Sequence, residues 1–275
     1  MLPADRCALL HSYDIILSII FESHSHYDDP AFDDDREALI PSLKEHNIGK
    51  VIAVGSAFKD IPKILNMCDK YDFLYPALGV HPENALELND DARKKLDAFI
   101  EASSPVAIGE IGLDYHYDDP SKDVQREAFV YQLELADKYN LPVIIHSRDA
   151  SEETFEILSK MSPKKKGVIH CFSSSKEMAL EYVKMGYMIG IGGVVTFKNG
   201  RKLKEVATAI PLDSILIETD CPYMAPVPHR GERNSSLYLP FVIEEIASLR
   251  GITVAEVEKA TYDNACRLFN IKDQV

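Results

Sequence analysis

The 275-residue chain has little cysteine and no long apolar run, and both deficits exclude classes of protein. Its five cysteines are odd in number and form no Cys-x-x-Cys pair, which argues against a disulfide framework or a thiolate zinc site and favours a reducing compartment. The longest early apolar run, residues 15–21, is far shorter than the roughly 20 residues of a membrane span. No small-residue cleavage site follows it, so we expect no signal peptide and predict the cytoplasm as the location.

Positive charge is also scarce. The chain has 30 Lys and Arg against 44 Asp and Glu, which gives a formal net charge of −14. This balance argues against broad non-specific coating of DNA, which needs clustered cations, and against docking on an anionic membrane. It leaves room for a small local anion site. The 46% hydrophobic and 27% charged residues are ordinary for a globular protein and exclude a disordered or fibrous chain.

A glycine-rich phosphate loop is missing after the first apolar run, where a doubly wound nucleotide-binding sheet would carry it. Instead, eight short apolar runs alternate with amphipathic stretches along the chain. Their continuous apolar character is typical of parallel strands that are buried on both faces. The predicted strands are residues 15–21, 51–54, 73–80, 106–111, 142–145, 167–169, 187–191 and 214–217. The predicted helices are residues 33–46, 90–101, 124–139, 152–160, 174–184, 203–209, 239–249 and 254–269.

This alternation predicts an α/β fold, a single (β/α)₈ TIM barrel, in one domain. The last two helical segments would close the chain behind the eighth strand. A doubly wound sheet is the alternative. It is disfavoured because the late glycine cluster at residues 190–193 matches no nucleotide-binding fingerprint.

Polar side chains occur where most of the predicted strands end, and in a barrel these ends share one rim, at which enzymes place their chemistry. His24 and His26 are two residues apart, so on a strand both point to the same side and can bind one ion. Four imidazoles and two carboxylates are too many ligands for one tetrahedral zinc, so the set predicts two divalent ions about 4 Å apart, bridged by a carboxylate. The predicted ligands are His24, His26, Glu110, His146, His170 and Asp220.

Four further residues are candidates for substrate binding, and each has a structural alternative. They are His81, His116, Arg148 and Arg233. His81 could instead serve only the loop before Pro82, and Arg148 could pair with Asp149. Arg233 lies in a proline-rich loop after the eighth strand, where barrels often bind phosphate, but the loop could also be merely solvated.

Six motifs in this order resemble the TatD family of metal-dependent deoxyribonucleases, which belongs to the amidohydrolase superfamily of TIM barrels. They are residues 22–29 (ESHSHYDD), 79–82 (GVHP), 109–115 (GEIGLDY), 145–148 (IHSR), 170–173 (HCFS) and 218–223 (ETDCPY). The resemblance runs from about residue 20 to residue 270. It implies a two-metal hydrolase of phosphodiesters, typically DNA, that trims from the 3′ end.

The resemblance also implies roles for single residues. His24, His26 and Asp220 would hold one metal. His146 and His170 would hold the second, and Glu110 would bridge the two. Asp220 and Glu110 are the predicted catalytic residues, with Asp220 as the general base, and the ions are two divalent cations such as Zn, Mn or Mg.

Two departures from the family pattern concern the N-terminal part of the chain. Glu22 stands where the family usually has Asp, so the surroundings of the first metal are expected to differ. Residues 1–19 precede the resemblance and are interpreted as an N-terminal extension, either non-native or disordered. Residues 20–275 are then the TatD-like hydrolase barrel.

The predicted function is that of a metal-dependent hydrolase that cleaves DNA phosphodiester bonds as a 3′–5′ exonuclease, with a water activated by two metals. The alternative is hydrolysis of a small amide, lactone or D-aminoacyl substrate. Many binuclear relatives bridge with a carboxylated lysine, and Glu110 in that place favours the nuclease. A binding protein that retains only the barrel is a third hypothesis. The partner is DNA, single-stranded or at 3′ ends, with no membrane and no obligate protein partner, and the net negative charge predicts marked salt sensitivity.

Overall fold

The computed structural model describes residues 19–161 and 163–272. The predicted extension at residues 1–19 therefore lies outside the described residues, apart from Ile19. Within the described chain, eight parallel strands form one sheet in the order β1 to β8, which confirms the predicted barrel and excludes the doubly wound alternative. The strands are β1 Ile20–Ser25, β2 Ile48–Val54, β3 Leu74–Leu78, β4 Ala107–Asp114, β5 Val143–Arg148, β6 Gly167–Ile169, β7 Met188–Ile191 and β8 Ile215–Ile217.

Helices alternate with the strands as the sequence predicts. They are α1 Arg36–Glu45, α2 Ile61–Lys70, α3 Asp90–Ser103, α4 Lys122–Tyr139, α5 Ser151–Met161, α6 Lys176–Lys184, α7 Arg201–Ala209, α8 Leu239–Arg250 and α9 Val254–Phe269. The helix α2 is absent from the predicted segments, which is a correction. Its signal was present, because Ile61, Ile64 and Met67 recur at helical spacing and are buried. Its length does not explain the omission, because α6 and α7 have only nine residues each and were predicted.

The first and last strands meet and bring the barrel close to closure. Ser25 and Cys221 form an isolated parallel bridge, and the N–H of His26 donates to the carbonyl of Cys221 at 3.0 Å. The N–H of Asp220 donates to the carbonyl of His24 at 3.1 Å. Two predicted metal ligands that are far apart in sequence are thus joined directly through the backbone.

Two strand boundaries differ from the prediction in a way that matters for the site. β1 begins at Ile20 and continues to Ser25, although the apolar run ends at Phe21. β4 continues to Asp114, beyond the apolar run that contains Glu110. The candidate ligand His24 therefore lies within a strand instead of after it, and Asp114 is added to the strand that contains Glu110. Hydrophobicity ends before the hydrogen-bond ladder because the last strand residues surround a polar site.

The core has an outer layer between sheet and helices and an inner layer within the barrel. Val51 and Ala53 of β2 belong to the outer layer, whereas Ile52 and Val54 belong to the inner one. Phe269 at the end of α9 stacks on Phe21 of the inner layer, with ring centroids 5.9 Å apart. The interior below the site is therefore filled with apolar side chains. No helix among the described residues is long and apolar enough to cross a bilayer.

Candidate metal centre

The first group of predicted ligands converges at the carboxyl ends of β1, β4 and β8. The Nε2 atoms of His24 and His26 are 3.0 Å apart. Glu110 Oε2 lies 3.3 Å from the first nitrogen and 3.5 Å from the second. Asp220 Oδ1 lies 3.8 Å and 3.5 Å from the same two atoms. We call these four side chains the first cluster.

The second cluster consists of His146, His170 and the other oxygen of Glu110. Glu110 Oε1 lies 2.8 Å from Nδ1 of His146 and 2.6 Å from Nε2 of His170. These two nitrogens are 3.2 Å apart. Each oxygen of the Glu110 carboxylate thus belongs to a different cluster, which is the arrangement that a bridging ligand requires.

The donor atoms of both clusters have spacings suited to divalent ions. Ligands bound at 2.0–2.1 Å to one tetrahedral ion lie roughly 3–3.5 Å from each other, which matches most of these separations. The first cluster offers two nitrogens and two oxygens, and the second offers two nitrogens and one oxygen. Mixed imidazole and carboxylate sets of this kind suit zinc and manganese better than magnesium, so the residues present fit two of the three predicted cations.

The electrostatics of the site favour positive charge. Burial alone would raise the pKa of Glu110, but the imidazoles of His170, His81 and His24 outweigh it and hold that pKa well below its usual range. Burial also lowers the pKa of His26 and His146, but hydrogen bonds to Asp220, Asp114 and Glu110 more than offset it. The pKa of His146 rises to about 9 and that of His26 rises well above its ordinary value. The carboxylates that raise these two pKa values also attract cations, which compete with protons for the same ligand atoms. Burial lowers the pKa of His24 to about 4 and that of His81 to about 3, so these two imidazoles are neutral.

Groups outside the predicted set orient the histidine rings. Oδ2 of the buried Asp114 accepts a hydrogen bond from Nε2 of His146 at 2.9 Å when that nitrogen carries the proton, which leaves Nδ1 for the second cluster. The carbonyl of Val54, 3.1 Å from Nδ1 of His26, plays the same part in the first cluster. The sequence analysis missed Asp114, although it lies inside one of the quoted motifs at the end of β4.

Glu218 is a second carboxylate that the sequence analysis did not select. It is fully buried, and its Oε1 lies 3.8 Å from Nδ1 of His170. Burial raises the pKa of Glu218 to about 8. Its Oε2 and the Nδ1 atoms of His24 and His170 find no hydrogen-bond partner among the described residues. Room for this carboxylate depends on Gly190, where a Cβ would lie 2.4 Å from Oε2.

Glu22, the departure from the family pattern, joins β1 to the segment after β8. Its Oε1 accepts hydrogen bonds from the N–H groups of His24 at 3.1 Å and Thr219 at 2.9 Å. Its Oε2 accepts from the hydroxyls of Thr219 at 2.7 Å and Ser236 at 3.0 Å. Burial raises the pKa of Glu22 to about 7, although these hydrogen bonds oppose the rise. Glu22 thereby helps to fix the relative positions of His24 and Asp220.

The substrate candidates occupy different positions relative to the clusters. Nε2 of His81 is 3.6 Å from Glu110 Oε1, so His81 lies at the centre. His116 is half exposed, with Nδ1 3.1 Å from Asp149. Arg148 is half exposed and lies 3.9 Å from Oδ2 of Asp114. Arg148 is therefore available at the rim near the second cluster.

Arg233 is bound to the segment that follows β1. Its guanidinium donates to both oxygens of Asp35, at 2.7 Å and 2.5 Å, and to the carbonyl of Ala31 at 2.8 Å. The proline-rich loop is thus tied to the loop after β1. This pairing was not predicted, because Asp35 and Arg233 are 198 residues apart in the sequence.

Known proteins share both the sequence and the fold. A family model described as TatD related DNase matches residues 21–270. The uncharacterized metal-dependent hydrolase YabD of Bacillus subtilis (strain 168) is 41% identical over 254 residues, which are 92% of this chain and 100% of that protein. The 3′-5′ ssDNA/RNA exonuclease TatD of Cronobacter sakazakii is 34% identical over 245 residues, 86% of this chain and 93% of that protein.

Solved structures agree with these relatives. The crystal structure of YJJV, a TatD homolog from Escherichia coli K12, has a TM-score of 0.89 at 33% identity and covers 94% of this chain and 100% of that one. A TatD family hydrolase from Entamoeba histolytica, at 22% identity, shares the fold with a TM-score of 0.83 over 91% of this chain and 98% of that one. Because the family model spans the barrel and relatives above 30% identity align along nearly their whole length, this chain belongs to the TatD family and is a metal-dependent hydrolase.

Proposed function

We propose that the protein hydrolyses phosphodiester bonds of DNA as a 3′–5′ exonuclease on single strands or strand ends. The observation that carries the proposal is the pair of ligand clusters that share Glu110 at the carboxyl rim of the barrel. The family description and the exonuclease name of the Cronobacter relative support DNA as the substrate. The match over residues 21–270 also supports treating residues 20–275 as one hydrolase barrel and residues 1–19 as an extension.

The proposed ligands follow the geometry. His24, His26 and Asp220 would hold one divalent ion, His146 and His170 the other, and Glu110 would contribute one oxygen to each. When bound, such ions lower the pKa of water and neutralise the charge of a phosphate in the transition state. The buried Glu110 keeps both donor sets in one fixed relation, because its two carboxylate oxygens lie between the imidazole nitrogens of β1 on one side and those at the ends of β5 and β6 on the other.

Asp220 is the proposed general base. Its side chain is 19% exposed, whereas those of His24 and Glu110 are only 1% and 4% exposed. It therefore borders both the cluster and the space that a substrate would enter. An ionised carboxylate is needed for this role. Burial would raise the pKa of Asp220, but the hydrogen bond with His26 and the charges of the nearby histidines outweigh it and lower that pKa.

Arg148, His116 and His81 are the proposed substrate-binding residues. Arg148 offers an exposed guanidinium beside the second cluster, which suits bidentate binding of a phosphate. His116 is close enough to Asp149 for a hydrogen bond, which would orient its ring. Arg233 remains in the proposal only as a residue that would have to leave Asp35 before it could contact substrate.

The test is a cleavage assay on metal-stripped protein to which Mg²⁺, Mn²⁺ or Zn²⁺ is added back. Single-stranded oligonucleotides labelled at the 5′ or the 3′ end report both activity and polarity. We expect a ladder that shortens from the 3′ end, and its loss in Asp220→Asn. Asp213→Asn is the matched control, because Asp213 is exposed and lies just before the opposite end of β8.

Amide, lactone and D-aminoacyl substrates belong in the same assay. Efficient turnover of one of these with no oligonucleotide cleavage under any metal would replace the nuclease proposal with the amidohydrolase alternative. Oligonucleotide cleavage that survives exhaustive chelation and both Asp220→Asn and Glu110→Ala would show that the clusters do not perform the reaction.

A further inference from the structure

A cavity of about 320 Å³ lies next to the first cluster, between the ends of β6, β7 and β8 and the start of α7. Thr219 and Asp220 form part of its wall, so it adjoins the proposed general base directly. The volume is near the lower end of the range for small-ligand pockets, about 300–1,000 Å³. It is suited to one nucleoside and too small for a strand. We call this cavity the loop-7 pocket, after the segment that follows β7.

One side of the loop-7 pocket is apolar. Phe172 and Leu203 are buried beside it, and Met224 is 43% exposed at its edge. Gly193 allows the backbones of two loops to touch, because a Cβ there would lie 2.1 Å from the carbonyl of Met224. An apolar wall beside a polar reaction centre is the surface that a nucleobase needs, since every base has an apolar face that packs on such side chains.

The other side of the loop-7 pocket is cationic, in a protein whose net charge is −14. Arg201 and Lys202 are exposed and line the pocket, and Lys198 lies just before them. Within residues 19–161 and 163–272, neither Lys198 nor Lys202 forms an ion pair. Arg201 pairs only with the exposed Glu205 at 2.8 Å, and a pair of this kind is weak enough to exchange for a phosphate.

Three consecutive lysines elsewhere in the chain provide a comparison. Residues 164–166 lie between α5 and the first residue of β6, which is the amino end of the barrel. They are therefore on the face opposite the clusters. Cationic side chains thus occur both near the reaction centre and far from it, and this gives a matched control for any electrostatic effect.

We propose that the loop-7 pocket binds the nucleoside adjacent to the scissile phosphodiester and that Lys202 and Arg201 bind the next phosphate along the strand. This inference rests on the proposed nuclease function and adds the subsite that holds the substrate. The base packs on the apolar wall formed by Phe172 and Met224. The cationic edge then holds the strand by its backbone, independently of sequence.

The test compares the wild type, Lys202→Ala, Asn199→Trp and the control Lys165→Ala on a labelled single-stranded oligonucleotide. Asn199 is exposed and lines the pocket, so the indole is designed to fill it. We expect Lys202→Ala to raise KM about 5-fold. The slope of the logarithm of the oligonucleotide binding constant against log salt concentration should become less negative by about 0.7, the value for one phosphate contact on a single strand. Asn199→Trp should raise KM by about 10-fold or more, because base stacking is lost.

Abasic substitutions near the 3′ end probe the apolar wall separately. In the wild type, removal of the base that occupies the pocket should raise KM about 10-fold, and Asn199→Trp should abolish that difference. Circular dichroism checks that Asn199→Trp folds, and Lys202→Ala alone keeps the test valid if it does not. Equal KM values and salt slopes for Lys202→Ala and Lys165→Ala, in a wild type that degrades oligonucleotides, overturn the subsite. A wild type that cleaves no oligonucleotide overturns the proposed function and the subsite together.

Discussion

The two ligand clusters share Glu110 but are supported in different ways. In the first cluster, His26 is oriented by a backbone carbonyl, and His24 is positioned through Glu22, which bonds its N–H and bridges to Thr219. In the second cluster, His146 is oriented by the carboxylate of Asp114, and Glu218 lies near His170. The first cluster therefore depends on how the barrel closes, and the second depends on carboxylates that lie beside its histidine rings.

This difference predicts that the two clusters can lose their geometry separately. A change that loosens the contact between β1 and β8 should disturb the first cluster. A change that removes a carboxylate beside a histidine should weaken the second cluster while the barrel stays intact. Glu110 is the residue whose loss should affect both.

The largest effect is expected for Glu110→Ala, which removes the ligand common to both clusters. Bound metal, measured by elemental analysis, should fall for both sites, and hydrolysis should drop by at least about 10³-fold. Glu134→Gln, an exposed change on α4, is the control. Retention of two tightly bound ions by Glu110→Ala would contradict the bridging role.

Glu22→Ala should give the next largest effect, on the free energy of unfolding. It leaves the N–H groups of His24 and Thr219 buried without an acceptor, and we expect a loss of about 3 kcal/mol in urea denaturation. The exposed Glu45→Ala should change the free energy of unfolding by less than about 0.5 kcal/mol. Equal stabilities for the two variants would mean that Glu22 does not support the closure of β1 on β8.

The effect of Asp114→Asn should be smaller and confined to the second cluster. Loss of the carboxylate beside Nε2 of His146 is expected to lower the binding affinity for one of the two ions by about 10- to 100-fold, as measured by calorimetric titration. The other ion should bind as in the wild type. Asp118→Asn, an exposed change in the next loop, serves as the control. Equal weakening of both ions would show that the clusters are not supported separately.

The smallest effects concern the rim. Arg148→Ala should raise KM for an oligonucleotide about 5-fold, because its guanidinium is exposed near the second cluster. Arg233→Ala should leave KM within about twofold, since Arg233 already binds Asp35. A larger KM effect for Arg233→Ala than for Arg148→Ala would reverse the assignment made from the geometry.

Much of the fold was predictable from local pattern. Buried parallel strands are continuously apolar, so runs such as residues 167–169 coincide with β6, and the amphipathic repeat at residues 254–269 coincides with α9. Prediction was poorer where polar residues are buried in a strand, because the apolar pattern then ends before the strand does. β1 continues past its apolar run because the polar residues at its end are buried around the site. The helix α2 was missed although its buried residues recur at helical spacing.

The candidate site was predictable as far as residue type and chain order allow. Four histidines and two carboxylates near the ends of strands had to meet at one rim once the chain formed a barrel, because all parallel strands end on the same side. The sequence could not show which atoms of these side chains contact each other. Asp114 lies inside a quoted motif, yet its bond to His146 depends on the register of β4 against β5.

The sequence by itself determined the barrel, the order of the strands and the chemical types of the candidate metal ligands, because periodicity and residue chemistry are local properties. Only the tertiary structure decided that Glu110 divides its oxygens between two clusters, that Asp35 engages Arg233 and that a cavity opens beside Asp220. These outcomes depend on distances of a few ångströms between segments far apart in the chain. Such distances are set by packing, which no short stretch of sequence contains.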